Sequence, residues 1–276
     1  MRLDAHQHFW ALARGDYGWL TPELAPIYRD FLPDDLSPIL SKWNIDGTVL
    51  VQAAPTVAET RFMLDLAHQT PFIKGVVGWI DFEAADAIDQ LNQLAQDPYL
   101  LGIRPMIQDI SDVGWMLNPQ FTPVFEAIIH HDLVFDALTL PQHLTALHQL
   151  AQRHPEMRIV IDHGAKPLIA QGQIEEWAAD MTALAALKNI RCKLSGLVTE
   201  AGTPWALKDL QPYVQHLLQA FGPRRLIWGS DWPVCTLAAS YDTWMDTSEA
   251  LLADLSAEDR AAIFGLNAMT TYNIRT

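Results

Sequence analysis

Cysteine is almost missing from this chain: its 276 residues hold two, Cys192 and Cys235. Two thiols without a short metal-type spacing exclude a disulfide framework, so both are expected to be reduced. Positive charge is scarce as well. Eighteen Lys+Arg stand against 33 Asp+Glu, a formal charge of −15, and such a surface repels a phosphate backbone or an anionic lipid face. Neither nucleic acid nor a membrane is an expected partner. No apolar run approaches the ~18 residues that suggest a membrane span. Arg2 and Asp4 stand where a signal peptide needs its apolar stretch, so a cytoplasmic location is expected. There is no Gly/Ser linker, low-complexity tract or internal repeat, which favours one domain over residues 1–276. Nor does a glycine-rich phosphate turn follow the first strand-like run, "DAHQHFW". That absence argues against the alternative of an open, doubly wound sheet.

What the chain does have is apolar content, 50% of its residues, enough to bury a large core. Short β-rich runs alternate with longer amphipathic ones from end to end. Strands are expected at Leu3–Phe9, Gly47–Ala53, Lys74–Asp81, Leu101–Ile107, Leu133–Leu138, Arg158–His163, Ile190–Leu194 and Arg225–Ser230. Between them Val57–Gln69, Ala85–Gln96, Pro141–Arg153 and Gln173–Leu187 carry apolar residues every three or four positions, the mark of a helix with one buried face. Pro33–Asp35 and Asp209–Pro212 read as helix starts, and Gly102, Gly222 and Gly265 as helix or turn ends. Eight such units at this length fit a (β/α)8 TIM barrel, whose chemistry sits at the C-terminal ends of the strands. The connection from Phe9 to Phe31 is long and carries Trp10, Tyr17, Trp19 and Tyr28. In a barrel it would stand over the mouth as a lid or substrate wall, or be a loop merely stapled down by its aromatics.

Several candidates fall where a barrel places functional groups. His6 and His8, two apart in a strand, present both imidazoles to one side. In "IVIDHGAKP" a β-branched run ends in Asp162 and His163, with Lys166 in the loop beyond; the competing role for this pair is helix capping and hydrogen bonding. "RLIWGSDWPV" delivers Asp231 at the last strand's exit, and the Trp232-Pro233 that follows disfavours a simple helix cap. Arg104 and Asp136 lie on candidate strands, and Arg104 either binds substrate or pairs with Asp136 or Asp81. Gln52, Trp79, Lys193 and Ser195 are further strand-end residues, best explained singly by packing or solvation.

Taken together, His-x-His on strand one, His163 on strand six and Asp231 on strand eight resemble the amidohydrolase superfamily. More narrowly, "DAHQHFW", "YGWL", "DHGAKP", "KLSGL" and "GSDWPV" look like its sugar-lactone hydrolase branch, and they extend from Leu3 to Val234. The resemblance implies that His6, His8, His163 and Asp231 face one site. Arg104 stands where two-metal members have a bridging Lys or Glu, and Asp136 where a His is usual. A binuclear centre is therefore not expected. One divalent ion, zinc first, or metal-free catalysis both fit this branch. The implied reaction is hydrolysis of a small-molecule aldonolactone with Asp231 as general base. His6 and His8 would bind a metal or hydrogen-bond the carbonyl, and His163 would complete the metal shell or orient Asp231. Arg104 and Lys166 would contact substrate, with Trp10, Tyr17, Trp19 and Trp232 as apolar walls. A decarboxylase of the same superfamily and a non-catalytic binding barrel are the alternatives. A homodimer is the base-rate expectation for assembly.

Overall fold

A strand buried on both faces must be apolar on both, and "GTVLV" and "RIVI" meet that demand. The computed structural model describes residues 1–274. Eight strands form one parallel sheet in chain order: β1 Leu3–Gln7, β2 Gly47–Val51, β3 Ile73–Gly78, β4 Leu100–Ile103, β5 Val134–Ala137, β6 Arg158–Ile161, β7 Ile190–Leu194 and β8 Leu226–Trp228. The sheet closes just beyond β8. His8 N donates to the Trp232 carbonyl at 2.7 Å and Asp231 N to the His6 carbonyl at 2.8 Å. The seam of the barrel is thus built by residues of the candidate site.

Side chains alternate across each strand. Leu3, Ala5, Val49, Val51, Val77, Val134, Val160 and Ile227 form an inner cluster, while Leu50, Val76, Phe135, Ile161 and Trp228 pack outward under the helices. The expected helices form at Val57–Gln69, Ala87–Leu94, Leu144–Arg153 and Glu175–Ala185. Asp35 and Asp209 accept the backbone N–H of Leu32 and Ala206 at 2.9 and 2.8 Å, which starts the helices Pro33–Lys42 and Leu207–Phe221. Gly222, with φ 67°, ends the second of these. Gly102 does not end an element. It lies inside β4, where a Cβ would meet the Val134 carbonyl at 2.7 Å, so glycine there permits close strand approach. Gly265 is likewise internal, in a π-turn between two helices.

After the helix Asn267–Thr271 the chain returns to the barrel's N-terminal end, and Ala268, Tyr272 and Ile274 join the inner cluster there. Among the described residues no helix is long and apolar enough to cross a membrane.

Candidate active site

Three strand ends meet at the opposite, C-terminal mouth. His6 is the penultimate residue of β1, and His8 follows the strand. His163 follows β6 in a left-handed turn in which His163, Gly164, Ala165 and Lys166 all have φ between 50° and 60°. Asp231, after β8, has φ 59°. Each non-glycine residue held in this region costs on the order of 1 kcal/mol or more, and such strain persists where the surroundings over-determine a useful geometry. Here the turns aim His163, Lys166 and Asp231 into the mouth.

The three imidazoles converge on one oxygen. Asp231 Oδ1 lies 3.3 Å from His8 Nε2, 3.7 Å from His6 Nε2 and 3.8 Å from His163 Nε2. Each ring is anchored through its other nitrogen. His8 Nδ1 donates to the Val51 carbonyl at 2.7 Å, and His163 Nδ1 meets Ser195 Oγ at 2.9 Å. His6 Nδ1 faces Lys193 Nζ at 3.2 Å and Asp162 Oδ1 at 3.5 Å. Burial lowers the His163 pKa to about 4, so this ring is neutral at pH 7. Burial, then the Lys193 ammonium, hold His6 well below its usual value. Burial alone would raise Asp231, but His163, the hydrogen bond from His8, and His6 together keep it ionised far below the usual carboxylate range.

Beneath this cluster is a layer of buried charge that sequence reasoning did not assemble. Arg104 pairs with neither Asp136 nor Asp81. Its Nη1 donates to Asp162 Oδ2 at 3.2 Å, and its Nη2 donates to the Gln52 carbonyl and to Gln52 Oε1. Asp136 instead binds Lys193 Nζ at 2.5 Å, and Lys193 reaches Asp162 Oδ1 at 3.0 Å. Lys193 is fully buried, so solvation does not explain it. Asp162 is not a helix cap but the shared counter-ion of Arg104 and Lys193, with His6 Nδ1 beside it at 3.5 Å. Burial would push it up, yet those cations hold it well down. Tyr272 closes the base, donating to both Asp136 oxygens at 2.8 and 2.9 Å. A signal was present in "IRCKL": Ile190, Cys192 and Leu194 pack outward, so the alternating Lys193 must point into the barrel.

The mouth opens into a cavity of about 310 Å³ lined by His8, Arg104, His163, Lys166, Asp231 and, from outside the predicted set, Glu200. A larger hollow of about 520 Å³ lies at the barrel's other end, against Tyr99, Leu133 and Tyr272, far from these groups. Of the four aromatic residues expected to face a substrate, Trp19 lines the cavity. Trp10, Tyr17 and Trp232 stand behind it: Trp10 and Trp232 pack edge-to-face on Phe31, Trp232 also on Phe9, and Tyr17 leans against Trp10. The 10–31 segment is therefore a fixed wall, tied by the Trp10–Phe31 bridge and by Trp19 Nε1 donating to the Ala53 carbonyl at 2.6 Å.

Glu59 holds the other side of that tie, accepting the N–H groups of Ala53 and Ala54 at 2.7–3.0 Å. Burial nevertheless raises its pKa from 4.5 to about 8. A folded-state value above the unfolded one means that its contribution is complete below pH 4.5 and is lost as pH rises through about 8. Across that window Glu59 alone gives stability a downward slope of up to ~1.4 kcal/mol per pH unit. Thermal unfolding of Glu59→Gln between pH 5 and 9 should show a flatter pH dependence than wild type, and an unchanged slope would contradict this account.

The donor set fits one divalent cation. Because His8 Nδ1 is committed as donor to Val51, its Nε2 and the carboxylate oxygen 3.3 Å away need either a proton or a cation between them. One donor atom from each of His6, His163 and Asp231 also lies within 4.8 Å of the others. Tetrahedral zinc with ligands at ~2.0–2.1 Å requires donor separations of roughly 3.3 Å. Arg104 and Asp136 are no ligands, since each is spent in the charge layer.

An eight-stranded parallel barrel with His-x-His, His and Asp at the ends of strands one, six and eight defines the class. The amidohydrolase family profile matches residues 3–274, and the chain belongs to that family. It is 48% identical over 277 residues to an L-fucono-1,5-lactonase of Burkholderia ambifaria, covering 99% of this chain and 96% of that one. It is 37% identical over 284 residues to an L-fucono-1,5-lactonase of Burkholderia multivorans, again over 99% and 96%. A crystal structure of an amidohydrolase from Burkholderia multivorans with bound zinc superposes with a TM-score of 0.95 at 35% identity, each chain covered fully.

Proposed function

We propose that the chain opens a sugar-derived lactone by water attack, with Asp231 as general base. The observation that carries this reading is the convergence of three oriented imidazoles on Asp231 Oδ1 at the floor of a small cavity. It is supported by the activity named for two relatives matched over 96% of their lengths.

Asp231 Oδ1 accepts a proton from the attacking water. Asp231 is ionised at pH 7 and His163 beside it is neutral, so the carboxylate is free to take that proton. Arg104 Nη1, held in place by Asp162, donates toward the carbonyl oxygen as negative charge develops there. As the acyl–oxygen bond breaks, the proton on Asp231 passes to the leaving ring oxygen. The hydroxy acid product then ionises at neutral pH.

His6, His8, His163 and Asp231 would hold one divalent ion, zinc first by donor type, which when bound supplies Lewis acidity. Equilibrium dialysis should find about one zinc per wild-type chain and none on His163→Ala; equal uptake by both would remove His163 from the ligand set. The reaction itself is tested with a pH indicator against a panel of aldonolactones, beginning with L-fucono-1,5-lactone. Release of one proton per ring opened is expected. Carbon dioxide release, or no turnover on any lactone, would overturn the proposal.

A further inference from the structure

We infer that Glu200 is a specificity-determining residue, which with Gln108 and Lys166 reads the hydroxyl groups of a neutral sugar lactone and turns anionic lactones away. The inference rests on the lactonase reading above and adds a residue outside the base and its imidazoles. Glu200 ends the short helix Leu197–Glu200 that follows β7, and its carboxylate stands in the cavity wall beside Thr199, half-buried.

Three observations support it. First, each cation of the mouth already faces a protein carboxylate. Lys166 Nζ lies 3.9 Å from Glu200 Oε1, each side chain about a quarter exposed, and Arg104 is held by Asp162 and Gln52. Asp231 and Asp109 also line the cavity, so a substrate carboxylate would enter a mouth whose three carboxylates outnumber its two cations. Like charge brought into a partly desolvated site is strongly disfavoured. Second, Gln108 Oε1, on a residue of the same wall, is buried with no hydrogen-bond partner among the described residues. An orphan acceptor there calls for a donor from the ligand, and a hydroxyl supplies one. Third, the Lys166–Glu200 contact is too long for a tight ion pair. The gap leaves both an acceptor and a donor able to turn to vicinal hydroxyls. Burial raises the Glu200 pKa despite the Lys166 ammonium, with the Asp231 charge adding, so a second anion nearby would meet an acid already short of solvation.

The test compares kcat/KM on three substrates: a polyhydroxylated 1,5-lactone, unsubstituted δ-valerolactone, and a sugar lactone bearing a free carboxylate. A charge-assisted hydrogen bond is worth ~1.5–3 kcal/mol, or roughly 10–100-fold. The ratio of hydroxylated to unsubstituted lactone should fall by that factor in Glu200→Ala, mainly through KM. Glu200→Gln, which keeps shape and an acceptor but no charge, should lose about tenfold or less in that ratio and gain on the carboxylate-bearing lactone. Equal losses on all three substrates, or unchanged ratios in both variants, would overturn the inference. If wild type opens no lactone, the reaction is wrong but Glu200 is still tested by calorimetry with a polyhydroxylated δ-lactam. Binding by wild type that weakens 10–100-fold in Glu200→Ala is then the expected result, and equal binding, or no binding by wild type, refutes it.

Discussion

Asp231→Asn should lower kcat by on the order of a hundredfold or more while leaving KM and the fold nearly unchanged. Asparagine has the same shape and is among the few residues that tolerate positive φ, so the 59° backbone conformation at this position survives. It can still meet His8 Nε2, but it cannot take a proton from water. Near-normal turnover of the same lactone, measured with melting temperature and metal content matched, would remove Asp231 from the role of base.

Lys193→Met should be the most destabilising single change near the site. The ammonium bridges Asp136 and Asp162 at 2.5 and 3.0 Å, and both carboxylates are fully buried. Burial already raises Asp136 to about 6 despite that bridge. Removing one partner of a buried pair strands the other charge, at a cost of ~3–5 kcal/mol. At ~2–4 °C per kcal/mol the melting temperature should drop by roughly 10 °C. Adding Asp136→Asn should recover part of the loss, because the stranded charge is then gone. A Lys193→Met protein with wild-type stability, or a double variant that is fully additive, would show that the ions act independently.

Much of this was legible without coordinates. Alternation and helical spacing located all eight strands, because a parallel strand buried on both faces leaves an apolar run that solvent-facing segments lack. His6, His8, His163 and Asp231 could be picked out because each sits at the edge of such a run, and polar groups there are expensive unless they do something. The stopping points of the strands were less visible: β6 ends at Ile161, two residues early, because the left-handed turn at His163 takes the chain out of the ladder.

Pairing was the province of the tertiary structure. Sequence distance carries no information about which of several buried charges meet, so Arg104 found Asp162 rather than Asp136, and Lys193 joined Asp136, 57 positions away. The aromatic loop shows the same limit. Composition marked Trp10, Tyr17, Trp19 and Trp232 alike, but only closure of the barrel decided that Trp19 faces the cavity while the rest pack behind it. Period and composition determine which side chains must leave water, since that is a local property of the chain. Which of them then touch depends on where eight strands of different register bring their ends, and that is set by the closed sheet as a whole.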